Sequence, residues 1–112
     1  MKTTNIGQCT LIQDDCIDVM QNLIKQGVKV DAIITDPPYG TTACKWDSVI
    51  PFEPMWDCLH KLIKDNGAII LFGREPFTSK LITSNIKKYK HKWVWNKNKA
   101  VLGLMLNICH YK

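Results

Sequence analysis

The sequence predicts an α/β fold in which a parallel β-sheet is flanked by helices. Helical and strand-like segments alternate along the chain, and the central strand segments are apolar throughout. Strands of this kind are typical of parallel sheets whose faces are covered by helices. The chain of 112 residues corresponds to one domain at most, and its three predicted strands form an incomplete sheet of this class.

The first predicted helix and strand lie in the amino-terminal part of the chain. Asp14 and Asp15 precede apolar residues at helical spacing, and Gly27 follows them. Acidic residues at the start and glycine at the end are typical of a helix. The segment 30–35, VDAIIT, is short and rich in branched apolar residues, which predicts a buried strand.

Two more helix–strand pairs follow. Pro54 begins a helix that the turn residues at Asp65 end, and the apolar segment 68–72, AIILF, is the next strand. Pro76 begins a third helix, and the segment 89–95, YKHKWVW, alternates as a strand does. This order of elements is the basis of the predicted sheet.

Positive charge is concentrated near the carboxyl end. The net charge is +5, and no Asp or Glu follows Glu75, whereas eight lysines do. Because a lysine near a phosphate releases condensed counterions, this segment predicts a polyanionic partner. A solvated lysine-rich surface explains the charge equally well. The candidate DNA contacts are Lys87, Lys88, Lys90 and Lys92.

Cysteine spacing and hydropathy predict a cytoplasmic protein, bacterial or phage-encoded. The five cysteines are odd in number and form no C-x-x-C pair, which argues against a disulfide framework and a metal site. No apolar run has the length of a signal peptide or a membrane span. We therefore expect neither a metal nor a membrane among the partners.

The segment DPPYG follows the first strand directly and contains the candidate catalytic residues Asp36, Pro37, Pro38 and Tyr39. In an open parallel sheet, ligands bind beyond the carboxyl ends of the strands. A carboxylate and a backbone carbonyl can accept both hydrogens of an exocyclic amine, and prolines hold these acceptors in place. A tyrosine ring can stack on a base rotated out of a duplex. A simple turn is the alternative.

Three segments carry a family resemblance: LIQDDCIDVM, the stretch from ITDPPYGTTACKWDSVIPF to FTSKLITSN, and YKHKWVWNKNK. In order and spacing, over about residues 9–99, they resemble the DNA adenine-N6 and cytosine-N4 methyltransferases. The resemblance implies a partial Rossmann-like methyltransferase fold. It also implies S-adenosylmethionine as cofactor, double-stranded DNA as partner, and transfer of the methyl group to a flipped-out base.

By position, the resemblance assigns Asp36, Pro37, Pro38 and Tyr39 to the loop that binds the target base. It assigns cofactor contacts to Asp15 and Asp36. Asp14 stands where the family usually has glycine, and a plain helix cap explains Asp15 as well. The loop begins with Asp rather than Ser, as in adenine-modifying members, so adenine is the expected target.

The Phe-x-Gly-x-Gly turn that holds the cofactor in this family has no counterpart here, since the six glycines form no Gly-x-Gly. In the family order that the chain resembles, this turn lies toward the carboxyl end. We therefore expect residues 1–112 to be the catalytic-loop part of a DNA methylase domain, without the target-recognition region. Such a chain is expected to be inactive alone and to self-associate through an uncovered sheet edge.

Three other functions compete with this interpretation. A basic nucleic-acid-binding remnant without catalysis accounts for the lysines, and a cytosine-N4 methyltransferase accounts for the loop. A methyltransferase of glutamine side chains has a similar loop that usually begins with Asn, so Asp36 and the WDSVIPF match disfavour it. Among the remaining residues, we expect Trp46 near the base pocket, and His60 and His91 on the surface. A surface ion pair is the expected role of Arg74 and Glu75, with a DNA contact as the alternative.

The tail AVLGLMLNICHYK departs abruptly from the family pattern after Lys99. Back-translation of residues 101–111 with the first two bases removed permits TGLNAKYMPL, which resembles the segment that follows this strand in full-length members. We therefore predict a frameshift near residues 99–101, so that residues 100–112 are out of frame. The gene sequence tests this, because it requires CTA for Leu106 and TGC for Cys109. Any other codon there would contradict it.

Overall fold

The computed structural model describes residues 1–45, 47–96 and 104–110, the last range as backbone only. Strands β1, Lys2–Ile6, and β2, Cys9–Gln13, form an antiparallel hairpin. The sequence analysis did not predict this hairpin, because its residues are mixed in polarity and almost all exposed. The remaining elements are α1 Cys16–Lys25, β3 Val30–Thr35, α2 Phe52–Leu62, β4 Ile63–Gly73, α3 Phe77–Ser84, a 3-10 turn Ile86–Lys88, β5 Tyr89–Trp95 and β6 Leu104–His110.

The main sheet has four strands in the order β3-β4-β6-β5. Strands β3 and β4 are parallel, as predicted, while β6 is antiparallel to both of its neighbours. Strand β5 therefore runs in the same direction as β3 and β4 but is separated from β4 by β6. The predicted parallel α/β arrangement is confirmed. The strand at Leu104–His110 was not predicted, because that segment had been interpreted as an out-of-frame tail.

The helices begin and end for identifiable local reasons. The side chain of Asp15 caps α1 by accepting hydrogen bonds from the backbone N–H groups of Ile17 and Asp18 at 3.0 and 3.2 Å. Helix α2 begins two residues before Pro54, which lies in the first turn, where no N–H donor is needed. It ends at Leu62 and not at Asp65, because β4 begins immediately and includes the turn-forming residues.

Gly67 explains how β4 continues through a segment that was expected to be a turn. The pairing of β3 with β4 is irregular between Val30 and Ala32, opposite this part of β4. A Cβ atom at Gly67 would lie 2.9 Å from the carbonyl oxygen of Asp31 and 2.5 Å from Cγ1 of Ile63. Glycine therefore permits a close backbone approach that any other side chain would obstruct.

The core lies on one face of the sheet, between the strands and the three helices. Ile69 and Leu71 on β4 are fully buried and contact residues of α2 and α3, with Ile17 and Met20 of α1 packing at the margin. The other buried core residues are Met55, Trp56, Leu59, Ile63, Phe77 and Leu81. The helices described by the structure thus cover a single face of the parallel pair.

The opposite face and the outer edge of β3 are uncovered in the described part of the chain. Ile34, which points away from the core, is 67% exposed, and Ala32 on the same face is exposed as well. Strand β3 is also the first strand of the sheet, so one row of its backbone N–H and C=O groups has no strand partner. Such an apolar edge is a template for pairing with another chain.

We expect the purified chain to self-associate and Ile34→Lys to shift it toward the 12.9 kDa monomer. A charge beside the open edge opposes close pairing of two apolar faces. Ile86→Lys is the matched control, because Ile86 is 61% exposed but lies in the 3-10 turn outside this face. Sedimentation velocity measures the result. A monomeric wild-type chain, or equal effects of the two substitutions, would contradict the prediction.

Candidate active site

A cleft of about 420 Å³ opens where the carboxyl ends of β3 and β4 meet. Thr35 pairs with Leu71 at this end of the two strands, so the loop after β3 and the residues after β4 lie side by side. The cleft is lined by Asp36, Pro37, Pro38, Tyr39, Thr41, Thr42, Asp47 and Arg74. All four predicted loop residues therefore line one cavity, at the edge of the sheet where a parallel fold places its ligands.

Asp36 and Tyr39 form the polar centre of the cleft. The Tyr39 hydroxyl donates a short hydrogen bond to Oδ1 of Asp36. Burial raises the pKa of Tyr39 well above its usual value, and the hydrogen bond to Asp36 raises it further. The phenol therefore stays protonated at neutral pH and occupies one carboxylate oxygen. Within the described part of the chain, no group donates to Oδ2 of Asp36, which is left to accept a hydrogen from a ligand.

Aromatic packing fixes the position of Tyr39. Its ring lies 5.2 Å, centroid to centroid, from that of the buried Phe77, and Phe52 lies 5.8 Å from Phe77 on the other side. Pro37 is buried as well, so the loop is held at its second and fourth residues. Because these contacts belong to the core, the Asp36–Tyr39 pair is positioned before any ligand binds.

The carboxylate of Asp47 holds the two sides of the loop together by hydrogen bonds. The sequence analysis assigned this residue no role. Its Oδ1 accepts the backbone N–H of Gly40 at 2.9 Å, and its Oδ2 accepts both the N–H and the hydroxyl of Thr42 at 2.7 Å. Asp47 is buried, with only 8% of its surface exposed. Asp47 lies between Trp46 and the polar Ser48, and this local sequence does not distinguish a buried structural carboxylate from a surface one.

Gly40 is required for the loop to turn toward Asp47. Its φ is +71°, a value that side chains of L-residues rarely adopt, and a Cβ atom would lie 2.7 Å from Cγ2 of Val49. The glycine that ends the DPPYG segment therefore has a conformational function. It directs its N–H group to the Asp47 carboxylate and so connects the DPPYG loop to the segment that follows.

Acidification should release this loop. Hydrogen bonds from the Thr42 hydroxyl, and next from the Gly40 N–H, lower the pKa of Asp47 below its ordinary value of 3.8. Because the folded-state pKa is lowered, the charged Asp47 carboxylate stabilises the folded loop at pH values above that pKa. This stabilisation is lost as the pH falls through the folded-state pKa. We therefore expect the Gly40 and Thr42 amide proton resonances to move upfield with a midpoint below pH 3.8.

The control for this titration is Asp47→Asn, which should show no such transition, because the amide does not ionise. Amide resonances of the exposed hairpin β1–β2 provide an internal reference. A midpoint at or above the ordinary Asp value, or an unchanged transition in Asp47→Asn, would contradict the assignment of Asp47 as the acceptor.

Arg74 and Glu75 do not form the expected ion pair. The carboxylate of Glu75 instead accepts the backbone N–H and the hydroxyl of Ser79, at 2.7 and 2.5 Å, at the start of α3. These hydrogen bonds lower the pKa of Glu75. Arg74 is exposed at the rim of the cleft, and its guanidinium donates no hydrogen bond to the described residues.

Asp15 lies outside the cleft lining, at the amino terminus of α1. One of its carboxylate oxygens, Oδ1, caps the helix, as the alternative interpretation expected. The other accepts no hydrogen bond from the described residues. The structure therefore leaves one oxygen of Asp15 open for a ligand, and the predicted cofactor contact stays a prediction.

The four candidate DNA lysines lie on adjacent elements, the 3-10 turn and β5. Lys87, Lys90 and Lys92 are exposed, while Lys88 is half-buried near His60. His60 is not the surface residue that was expected. It is half-buried, stacks on Trp56 at 5.7 Å and contacts Asn85 through Nε2, and burial followed by the charge of Lys88 lowers its pKa.

His91 is exposed on β5, as expected, with its ring against Trp93. Trp46 lies outside the described residues, so its expected place near the base pocket stays a prediction. Among the residues that the structure describes, no three His, Cys, Asp or Glu side chains are placed to hold a metal ion. No helix within the same ranges is long and apolar enough to cross a membrane.

Comparison with known proteins identifies the fold. No protein-family model and no curated protein matches the chain. The crystal structure of the M1.HpyAVI–SAM complex matches it with a TM-score of 0.70 and 21% identity over 90% of this chain and 54% of that one. The crystal structure of M1.HpyAVI matches with a TM-score of 0.63 and 23% identity over 90% and 53% of the two chains. This chain has part of a methyltransferase fold.

The chain spans about half the length of the M1.HpyAVI structures that it matches. The likeness covers nine-tenths of this chain. The uncovered edge and face of β3 therefore belong to a chain that corresponds to about half of a larger solved fold.

Proposed function

We propose that this chain is the target-base part of an S-adenosylmethionine-dependent DNA methyltransferase that modifies adenine at N6. The observation that carries the proposal is the Asp36–Tyr39 pair, whose open carboxylate oxygen faces a cleft at the carboxyl ends of two parallel strands. The family resemblance of the loop and the fold shared with M1.HpyAVI, whose structure was solved in complex with SAM, support it.

In the proposed reaction, Oδ2 of Asp36 and a backbone carbonyl of the loop accept the two hydrogens of the adenine amino group. These hydrogen bonds draw the nitrogen lone pair out of conjugation with the ring. Bound S-adenosylmethionine supplies an electrophilic methyl group. Tyr39 holds Asp36 in place through its hydroxyl, and the ring of Tyr39 provides the flat surface against which the base lies.

The residues present fit a part of the cofactor site. Asp15 offers one open carboxylate oxygen, and Asp36 lies at the cleft where the methyl group must arrive. The glycine-rich turn, whose backbone approaches the cofactor closely in this family, has no counterpart in the sequence. We infer that the chain binds S-adenosylmethionine fully only together with a segment that supplies this turn.

The test is the identity of the methylated base. The chain is fused to the part of M1.HpyAVI that it does not match, and the fusion protein is expressed in a host without DNA adenine methylation. Mass spectrometry of the digested DNA should detect N6-methyladenine. N4-methylcytosine as the product would establish the cytosine alternative. Folding of the fusion protein is checked by its S-adenosylmethionine binding, and a folded protein that modifies no base would contradict the proposal.

A basic nucleic-acid-binding remnant is the second candidate, and the exposure of Lys87, Lys90 and Lys92 favours it. The two functions differ in their dependence on Asp36. A remnant binds DNA through phosphate contacts alone, so its nucleic-acid binding does not depend on Asp36. The methyltransferase loses base recognition when Asp36 is replaced, and this difference separates the two.

A further inference from the structure

Arg74 is the one cation among the residues that line the cleft in the described part of the chain. It follows β4 directly, as Asp36 follows β3, and the two strands are parallel neighbours. Arg74 lines the same cleft as the Asp36–Tyr39 pair, and its positive charge acts on the Tyr39 hydroxyl by lowering the pKa that burial and Asp36 raise. Its position is therefore within the site and not on a remote surface.

No structural role accounts for this side chain. The adjacent carboxylate, Glu75, is occupied by Ser79, and Asp36 and Asp47 accept their hydrogen bonds from the loop. Neither a salt bridge nor a hydrogen bond joins the Arg74 guanidinium to the described residues. A guanidinium has five N–H donors in a planar arrangement that fits an oxyanion. Arg74 thus presents a set of unused donors beside the place where the base is proposed to bind.

We propose that Arg74 binds the phosphate group of the nucleotide whose base enters the cleft. The inference rests on the proposed function, because Asp36 fixes the base end of the same nucleotide. A cleft of about 420 Å³ has the size of a small-molecule site. It can hold a base against the Tyr39 ring, with the amino group at Oδ2 of Asp36 and the sugar and phosphate toward the rim, where Arg74 lies. Phosphate binding at this point keeps the flipped nucleotide from returning to the duplex.

The test compares two ligands that differ only in phosphate. Adenosine and adenosine 5′-monophosphate are titrated into the chain, and binding is followed by NMR of the loop amides. We expect the monophosphate to bind about tenfold more tightly than adenosine, because its phosphate adds a charge-assisted hydrogen bond in an open cleft. Arg74→Gln should remove this advantage while leaving adenosine binding unchanged. Lys80→Gln, a substitution of an exposed cation on α3, is the control and should change neither affinity.

Several results would overturn the inference. Equal affinities of the two ligands, or a monophosphate advantage that survives Arg74→Gln, would show that Arg74 does not bind phosphate. A loss of adenosine binding in Arg74→Gln would show a structural role. If Arg74→Gln weakens the binding of S-adenosylmethionine but not that of the monophosphate, Arg74 binds the carboxylate of the cofactor instead of a phosphate, and the proposal is wrong.

A separate substitution, Asp36→Asn, tests the proposed function itself. Asp36→Asn should weaken adenosine itself, since it changes the acceptor for the amino group. Adenosine binding that is unaffected by Asp36→Asn, or absent altogether, would contradict the proposed function together with this inference. Adenosine binding that depends on Asp36, without a phosphate advantage, would contradict the role of Arg74 alone.

Discussion

Replacing Asp36 by Ala should lower methyl transfer at least about a hundredfold in the fusion protein, because removal of one preorganised hydrogen-bonding group from an active site has effects of about 10²–10³. The open oxygen of Asp36 is the acceptor that orients the amino group, and its other oxygen is held by Tyr39. Binding of duplex DNA should change little, since phosphate contacts from Lys87, Lys90 and Lys92 do not involve this carboxylate. Transfer is measured with labelled S-adenosylmethionine, and DNA binding by fluorescence anisotropy.

The matched control is Asp31→Ala. Asp31 is an exposed carboxylate on β3, the strand that Asp36 follows. It is paired with Lys64 at 2.8 Å on the surface and does not line the cleft. Exposed ion pairs contribute little to stability, so this substitution should leave transfer nearly unchanged. Full transfer by Asp36→Ala, or equal losses in the two variants, would refute the role assigned to Asp36.

The chain alone should bind S-adenosylmethionine with a Kd above about 1 mM, whereas the fusion protein should bind it at micromolar concentration. Among the residues proposed to contact the cofactor, only Asp15 and the Asp36 loop belong to this chain. A site without a glycine-rich turn lacks the close backbone approach that such a turn permits. Isothermal titration calorimetry measures both affinities.

A micromolar Kd for the isolated chain would contradict this expectation. It would mean that the β3 edge and the loop suffice for cofactor binding. Asp15→Asn in the fusion protein adds a control, because Asn also caps helices and preserves the start of α1 while removing the charge. Weaker cofactor binding by this variant would assign the open oxygen of Asp15 to the site.

Segments with strong local signals were predicted as the right type of element. Strand β3 was predicted with its observed bounds, Val30–Thr35, because a short run of branched apolar residues is typical of a strand. Its predicted burial was wrong, since none of its six residues is buried and Ile34 is exposed. The placement of Asp36 and Tyr39 at one cleft follows from the same strand, since a loop at its carboxyl end must lie at that edge of the sheet.

What was missed depends on tertiary contacts. Asp47 is eleven residues beyond Asp36, and nothing in its local sequence states that its carboxylate returns to Gly40 and Thr42. The extension of β4 back to Ile63 depends on the close approach of Gly67 to Asp31, a contact between two strands. Likewise, the burial of His60 results from Trp56 one turn earlier on α2 and from Asn85 beyond α3.

The insertion of β6 between β4 and β5 was the largest difference in topology. Alternation along Tyr89–Trp95 predicts a strand but does not predict its neighbours, and the hairpin partner lies in a segment that resembles no family motif. Strands pair through backbone N–H and C=O groups, which many different sequences provide. A segment without the family pattern can therefore still form a strand.

The most direct test of the central claim is the binding of adenosine compared with purine riboside, which lacks the 6-amino group and is otherwise the same. Both ligands are titrated into the chain while the carboxyl ¹³C resonance of Asp36 is observed by NMR. If Asp36 accepts a hydrogen from the adenine amino group through its open oxygen, adenosine will shift this resonance and purine riboside will not. Equal shifts with both ligands, or no shift with either, would contradict the assignment of this loop as the site that holds the target amine.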